Sequence, residues 1–208
     1  MISSVLLAHI DHNSHRAQTL VAHSEYVAEL CGKFCEKLGL GNLGKLVGLL
    51  HDSGKATSVF QTYLKTGDDS MRGKIPHSFC GARYSLQTWK SGGAMEDLTA
   101  EFAAAAICAH HGGLPDVTGV DASDNLHRRA WPEKEVCYEE ALKGFFQDVS
   151  TKSLDSLFRE AQRETGRACA KIRSICGGIP PAARKQTFYF MIGFLQRYLL
   201  SCLLDADR

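Results

Sequence analysis

The chain has 208 residues, 44% of them hydrophobic and 23% charged, with 24 basic residues against 23 acidic and a net charge of +1. That is enough chain for one domain with a sizeable core. The near-neutral balance excludes a global field that would gather nucleic acid, so any polyanion must be met by a local patch.

Nine histidines are the one compositional anomaly. The opening Met1 to Leu7 lacks the basic start of a secretory signal. Eight cysteines (Cys31, Cys35, Cys80, Cys108, Cys137, Cys169, Cys176 and Cys202) include no Cys-x-x-Cys pair. Most fall in apolar helical patterns, where free Cys acts as a small hydrophobe. They read as reduced, in a cytoplasmic protein.

Residues 19–38 place Val27, Leu30, Cys31, Phe34, Cys35 and Leu38 on one stripe, which predicts an amphipathic helix. His23 lies on that stripe, one turn before Val27, and so points inward. It is either a core histidine satisfied by a neighbour or a ligand. Gly39 and Gly41 end the helix. Gly39 to Lys45 matches G-x-x-x-x-G-K, but Leu46 stands where a phosphate loop needs Ser or Thr, and a helix precedes it rather than a strand. The match is a decoy.

Residues 42–52 predict a short helix with Leu43, Leu46, Val47 and Leu50 inside, and His51 facing inward one turn after Val47. Asp52 at its end opposes the macrodipole, which is unfavourable unless a cation compensates. Gly54 permits a tight turn. Lys55 then projects near the His-Asp pair, as a solvated lysine or as a holder of phosphate.

A weaker helix from Ser58 to Lys65 precedes a polar loop, Thr66 to Gly73. Pro76-His77-Ser78 opens the next helix with Ser78 as its N-cap. His77 at the helix mouth is a loop histidine or a ligand. Glu96 to His111 reads as a helix whose run Ala103 to Ala106 lets neighbours approach closely. It ends in His110-His111-Gly112, with Gly112 as C-cap. Two consecutive histidines leaving a buried helix have no ready structural reason.

Residues 112–134 read as the least structured part, a solvated loop or a flap over a polyanion, with the basic run His127-Arg128-Arg129. Asp116, Asp121 and Asp124 lack the Gly and terminal Glu of a calcium loop. Helices follow from Glu133 to about Asp148 and from Leu154 to Cys176, and Gly177-Gly178-Ile179-Pro180-Pro181 breaks the chain. The last helix runs from about Arg184 to the end, with Phe188, Ile192, Leu195, Leu199, Leu203 and Ala206 on its core face. Its most apolar run, Phe188 to Leu204, contains Gln196 and Arg197 and reads as too short and too polar to span a membrane. Asp205 and Asp207 flank Ala206 on opposite sides, so periodicity cannot choose between them.

Pooled, the candidates are His23, His51, Asp52, His77, His110, His111 and one of Asp205 or Asp207, supplied by five separate helices. That many N and O ligands exceeds the need of one metal. It suits two divalent cations with Asp52 as the bridge. Such a pair, about 3.5–4 Å apart, clamps the attacking and leaving oxygens of a phosphoryl displacement. Imidazole with carboxylate suits Mn, Ni, Co, Fe or Zn, with Mg as the harder alternative.

The order His…His-Asp…His…His-His…Asp resembles the HD phosphohydrolase superfamily. His51-Asp52-Ser53-Gly54-Lys55, Pro76-His77-Ser78 with Gly81-Ala82, His110-His111-Gly112 and the ending Ser201 to Asp207 resemble more closely the HD nuclease domain of the type I CRISPR helicase–nuclease. The resemblance runs from His9 to Arg208. It implies an all-α HD-domain helical bundle with a metal site at its centre, a single domain over residues 1–208, and a metal-dependent nuclease acting on single-stranded DNA in CRISPR interference.

By that resemblance one metal takes His23, His51, Asp52 and the terminal Asp. The other shares Asp52 and takes His77, His110 and His111. Asp207 matches the family's terminal acid better than Asp205, and Lys55 matches the family lysine near the scissile phosphate. The implied partners are a helicase domain, on the same or another chain, and a CRISPR surveillance complex. No membrane is expected. Arg128, Arg129, Arg72 and Lys74 are the candidates for steering the DNA backbone. The alternatives are a phosphohydrolase of small or cyclic nucleotides, using the same metals, and a non-enzymatic helical scaffold.

Overall fold

The apolar stripes become helices that bury those stripes against one another. A computed structural model describes residues 5–14, 16–114, 124–132 and 137–208. A hairpin of two antiparallel strands, β1 (Leu7–Asp11) and β2 (Arg16–Thr19), leads directly into α1 (Leu20–Cys35). Then follow α2 (Gly41–Leu50), α3 (Ser58–Thr66), α4 (Phe79–Trp89), α5 (Ala94–Ala109), α6 (Asn125–Ala130), α7 (Tyr138–Phe145), α8 (Thr151–Gly177) and α9 (Pro181–Ala206). The expected all-α bundle is what forms, with the hairpin as a small addition.

α2 and α5 occupy the centre because most of each helix is apolar. Leu43, Leu46, Val47 and Leu50 are fully buried in α2, as are Ala103, Ala104, Ala106 and Ile107 in α5. α1, α8 and α9 pack around α2, and α4 covers α5. The alanine run does what small residues do, letting neighbouring helices close in. Of the glycines in the phosphate-loop decoy, Gly39 takes the left-handed φ of +70° that ends the 36–38 turn, and Gly44 serves close approach. A Cβ on Gly44 would stand 2.7 Å from the Cys31 carbonyl oxygen, so this residue sets how closely α1 crosses α2. Lys45 pairs with Glu29 of α1 at 3.7 Å.

The N-terminus of α2 shows how the bundle is fixed. Leu40 stands at the N-cap and offers no side-chain acceptor. The buried carboxylate of Glu164, on α8, accepts instead from the backbone N–H groups of Asn42 (2.9 Å) and Leu43 (3.1 Å) and from the Asn42 side-chain amide (2.7 Å). A helix N-terminus has unpaired N–H groups and a partial positive charge, and a carboxylate meets both needs.

Several expectations shift. Sequence reading gave no strands at the N-terminus, because the hairpin is polar and held from outside. Gln61 of α3 accepts from Leu7 N–H at 2.9 Å and donates to the carbonyls of Leu7 and Lys55, each at 2.8 Å. Leu38 is 43% exposed, because the chain tightens into a 3-10 turn over 36–38 and carries it off the stripe. Ser78 stands at the head of α4, but its own backbone is helical and its hydroxyl makes no capping bond.

Asp124 caps α6 through the His127 N–H (2.9 Å), within a stretch expected to be irregular. Pro115, Asp116, Asp121 and the predicted helix start at Glu133 lie outside the described residues. α9 begins at Pro181, not Arg184, because a proline in the first turn gives up no needed N–H. It has 26 residues, and an 18-residue window within it has a mean hydropathy of 1.3, so by length and composition it would suffice to cross a membrane and is longer and more apolar than expected. Its C-terminal half nonetheless buries Leu195, Leu199, Leu203 and Ala206 in the bundle core. All eight cysteines are free thiols, and seven are buried.

Glu164→Ala removes the only side-chain acceptor described at the head of α2. It is expected to destabilise the chain by about 1–3 kcal/mol through the unsatisfied buried N–H groups, lowering the thermal midpoint by several degrees. A scan of the two proteins by circular dichroism checks this.

Candidate metal centre

Five segments deliver the candidate ligands to one place. His23 comes from the first turns of α1, whose N-terminus Thr19 caps through the Ala22 N–H. His51 and Asp52 follow α2, His77 lies just before α4, His110 and His111 follow α5, and Asp207 follows α9.

His51 and His110 use one device. Each stands at the C-cap of its helix and donates Nδ1–H to the carbonyl three residues back, His51 to Gly48 (2.7 Å) and His110 to Ile107 (2.6 Å). Last-turn carbonyls lack helical partners. A carbonyl can only accept, so Nδ1 carries a proton, and Nε2 is the atom turned toward the centre. His77 does the same through the Ile75 carbonyl (3.1 Å). Hydrogen bonds of this kind fix the tautomer and the aim of a metal-ligating imidazole.

The atoms form two groups sharing Asp52. In the first, His23 Nε2 lies 3.2 Å from Asp52 Oδ2 and 3.2 Å from Asp207 Oδ1, while His51 Nε2 lies 3.3 and 3.2 Å from the same two oxygens. In the second, Asp52 Oδ1 stands 3.7 Å from His77 Nε2 and 3.7 Å from His110 Nε2, with His111 Nε2 2.8 Å from His77 Nε2. One carboxylate thus gives one oxygen to each group. His23, His51, Asp52 and His110 form a buried floor, whereas His77 and Asp207 are half-buried and His111 is exposed at the mouth.

These atoms suit cations. Both oxygens of Asp52, His23 Nε2 and His110 Nε2 are buried without a hydrogen bond of proper geometry. Acceptors brought together in that state are costly unless a positive charge stands among them. The spacing agrees. Ligands about 2.1 Å from an ion stand about 3.0 Å apart at octahedral angles and about 3.4 Å apart at tetrahedral ones. The first group's separations of 3.2–3.3 Å fall between those values.

Two glycines explain why the segments meet. A Cβ on Gly54 would overlap the His77 carbonyl oxygen, and one on Gly81 would overlap the Leu50 carbonyl oxygen. Gly54 therefore serves close approach rather than turn flexibility. It presses the 53–56 turn against His77, and Gly81 seats α4 against the end of α2. Lys55 is buried, with Nζ 2.7 Å from Asp52 Oδ2 and 3.5 Å from the Ala8 carbonyl. It is not a solvated lysine.

The remaining candidates separate clearly. Asp205 faces solvent, 3.8 Å from Arg208, and joins neither group. Arg129 donates to the Gly113 carbonyl (2.7 Å) and shares a shallow cavity of about 280 Å³ with His111. Arg128 is exposed on α6 beside Asn125. Arg72 and Lys74 lie exposed on the turn before His77, outside both groups. Sequence reasoning gave no role to His9, whose ring meets His23 edge-on at 4.7 Å. Only its adjacency across the unforeseen hairpin could have revealed it.

Without a metal, protons and Lys55 carry the compensating charge. Burial would lower the pKa of His51, but Asp52 and Asp207 outweigh it and raise the value to about 10. His23 is raised in the same way, against its own burial, by the adjacent carboxylates of Asp207 and Asp52. Burial would raise Asp52, yet His51, His110 and His23 hold it well below the carboxylate range. Burial dominates at His77 and lowers it to about 4. His9 is lowered to about 4 by desolvation, then by Lys55 and His23.

The raised pKa of His51 stabilises the metal-free fold fully below its ordinary value of 6.5, and that contribution fades as pH rises through about 10. Cations must displace the same proton. Thermal unfolding with and without Mn²⁺ between pH 6 and 9 is therefore expected to show a metal-induced rise in midpoint that grows with pH. A rise that shrinks with pH would contradict this assignment of the proton.

A family model described as Cas3, HD domain, matches residues 5–178. Ribonuclease Y from Syntrophobacter fumaroxidans (strain DSM 10017 / MPOB) is 34% identical over 131 residues, covering 58% of this chain and 20% of the relative. The chain thus spans about a fifth of that relative's length. Asp207 lies beyond the matched residues and joins the centre through the packing of α9.

Proposed function

The chain belongs to the Cas3 HD-domain family, and from that premise we propose that this HD-type metal-dependent hydrolase is a nuclease that cuts single-stranded DNA in CRISPR interference. The observation that carries the reading is the shared carboxylate, with Asp52 offering Oδ2 to one ligand group and Oδ1 to the other. In this reading His23, His51, Asp52 and Asp207 hold one divalent cation, and Asp52, His77, His110 and His111 hold a second. When bound, two cations across one carboxylate supply Lewis-acid stabilisation to the attacking and leaving oxygens of a phosphodiester. Mn, Ni, Co, Fe or Zn suits this donor set better than Mg.

The protein's own groups do the positioning. The carbonyls of Gly48, Ile107 and Ile75 fix the imidazoles before substrate arrives, so little reorganisation is left to the reaction. The buried floor excludes bulk water, and the phosphodiester enters over His77, His111 and Asp207. Lys55, beside Asp52, is the cation placed to meet a phosphate oxygen. Arg129, next to His111, is placed to meet a neighbouring phosphate. The strand is delivered by a helicase on the same or a partner chain, recruited by a CRISPR surveillance complex in the cytoplasm. As a family member with a nucleic-acid substrate the protein has its precedent there; the helicase and the complex are part of the proposal.

The test is cleavage of circular single-stranded DNA by metal-stripped protein, with Mn²⁺, Ni²⁺, Co²⁺ or Mg²⁺ restored, beside Asp52→Ala. Endonucleolytic cutting is expected that needs metal and falls at least 10²-fold in the variant, together with loss of bound metal. Full metal content and full cutting by Asp52→Ala would overturn the assignment. Hydrolysis of dNTPs or cyclic nucleotides without cutting of DNA would favour a nucleotide phosphohydrolase instead.

A further inference from the structure

Charge is not spread evenly along the chain. From Thr165 to Leu204 there are six basic residues (Arg167, Lys171, Arg173, Arg184, Lys185 and Arg197) and no Asp or Glu. The near-neutral total conceals this, since the rest of the chain is net acidic. The stretch is the antiparallel hairpin of α8 and α9, and among the described residues none of the six is ion-paired.

The same hairpin leaves large apolar side chains uncovered. Ile175 is 53% exposed, Tyr189 61%, Phe190 69% and Phe194 55%. They include the three most exposed aromatic side chains of the bundle helices after α1, so the patch is concentrated rather than scattered. Cations and rings interleave. The Arg173 guanidinium lies 5.5 Å from the Phe188 ring, and the Lys185 ammonium 5.9 Å from the Tyr189 ring. Arg184 is held by the carbonyls of Ile179 (2.8 Å) and Gly177 (3.1 Å), which fixes its charge at the hairpin tip. An open trough of about 570 Å³ runs between Arg173, Arg184, Lys185 and Tyr189. Beyond Tyr189 lies a more apolar cavity of about 460 Å³, where the His127 and Trp131 rings stack at 4.2 Å.

We propose that the α8–α9 hairpin is an anchoring surface for single-stranded nucleic acid, separate from the metal centre. Cations unpaired with any acid suit a phosphate backbone, and exposed ring faces suit unpaired bases, which stack on aromatics whatever their sequence. A duplex keeps its base faces covered and could use only the charges. An anionic membrane would use the charges too, but the exposed groups here are rings set among cations, not a continuous aliphatic face. Lys185 and Asp207 are separated along α9 by about 33 Å at 1.5 Å per residue, so a strand held on the hairpin lies well outside the catalytic groups. The proposal rests on the nuclease reading only for the identity of the polyanion.

The test is fluorescence anisotropy of a labelled 20-mer of deoxythymidylate with the metal-free full chain, at several salt concentrations. Arg173→Glu with Lys185→Glu is expected to weaken binding at least tenfold and to flatten the log–log salt dependence by about 1.4, at about 0.7 per lost phosphate contact. Tyr189→Ala with Phe190→Ala is expected to weaken it about tenfold with the salt slope unchanged. Both pairs lie on the surface, and thermal unfolding confirms the fold. Unchanged affinity in both double variants overturns the proposal. So does binding to phosphatidylglycerol vesicles without binding to the oligonucleotide. Asp52→Ala keeps the two readings apart. Hairpin-dependent binding without cleavage under any metal removes the nuclease reading and leaves the anchor standing, whereas cleavage with hairpin-independent binding removes the anchor alone.

Discussion

The structure depends on the burial of one charge. Asp52 is 1% exposed, at the point where the five ligand-bearing segments meet. A carboxylate there is tolerated only with full compensation, since an unpaired buried charge costs several kcal/mol. Lys55, His23, His51, His77 and His110 all stand within 3.7 Å of its oxygens. The bundle can be described as what is needed to bring those groups to that carboxylate. α2 carries it, Glu164 and α8 hold the far end of α2, and α1, α5 and α9 surround it.

Two kinds of contact give the arrangement its accuracy. Backbone carbonyls at helix ends accept Nδ1–H and aim the rings. Glycines let backbones cross where any side chain would keep them apart, as Gly81 does against Leu50 and Gly54 against His77. Neither kind needs a polar side chain as partner. The site is therefore built almost entirely of ligands and main chain, with Lys55 as the added charge.

Much of this was legible in the sequence, for physical reasons that differ by residue. His23 and His51 could be placed because each continues an apolar stripe at helical spacing. His110 and His111 could be placed because paired imidazoles at the end of an alanine-rich helix lack another explanation. Asp205 and Asp207 could not be separated by periodicity, since they flank the core residue symmetrically, and the path of α9 as it leaves the bundle makes the distinction. The hairpin and His9 were invisible because β1 and β2 are held by Gln61, a long-range polar contact that leaves no pattern. Gly54 could be seen, but its use could not, because the carbonyl it admits is 23 positions away. The basic stretch of α8 and α9 was hidden by reading charge over the whole chain.

The placement of Asp207 on the first ligand group has a consequence for chain topology. His23 and Asp207 stand 3.2 Å apart yet lie near opposite ends of the sequence. A cation held by both would close a loop spanning 184 positions of the chain. Loop-closure entropy grows with the logarithm of the enclosed length, so a crosslink across so long a loop would constrain the unfolded chain strongly, and reversibly. Loading the centre would therefore act as a clasp on the bundle, since peeling α9 away from α1 would first have to release the ion. A cation held there for chemistry would also tie α1 and α9 into one cooperative unit.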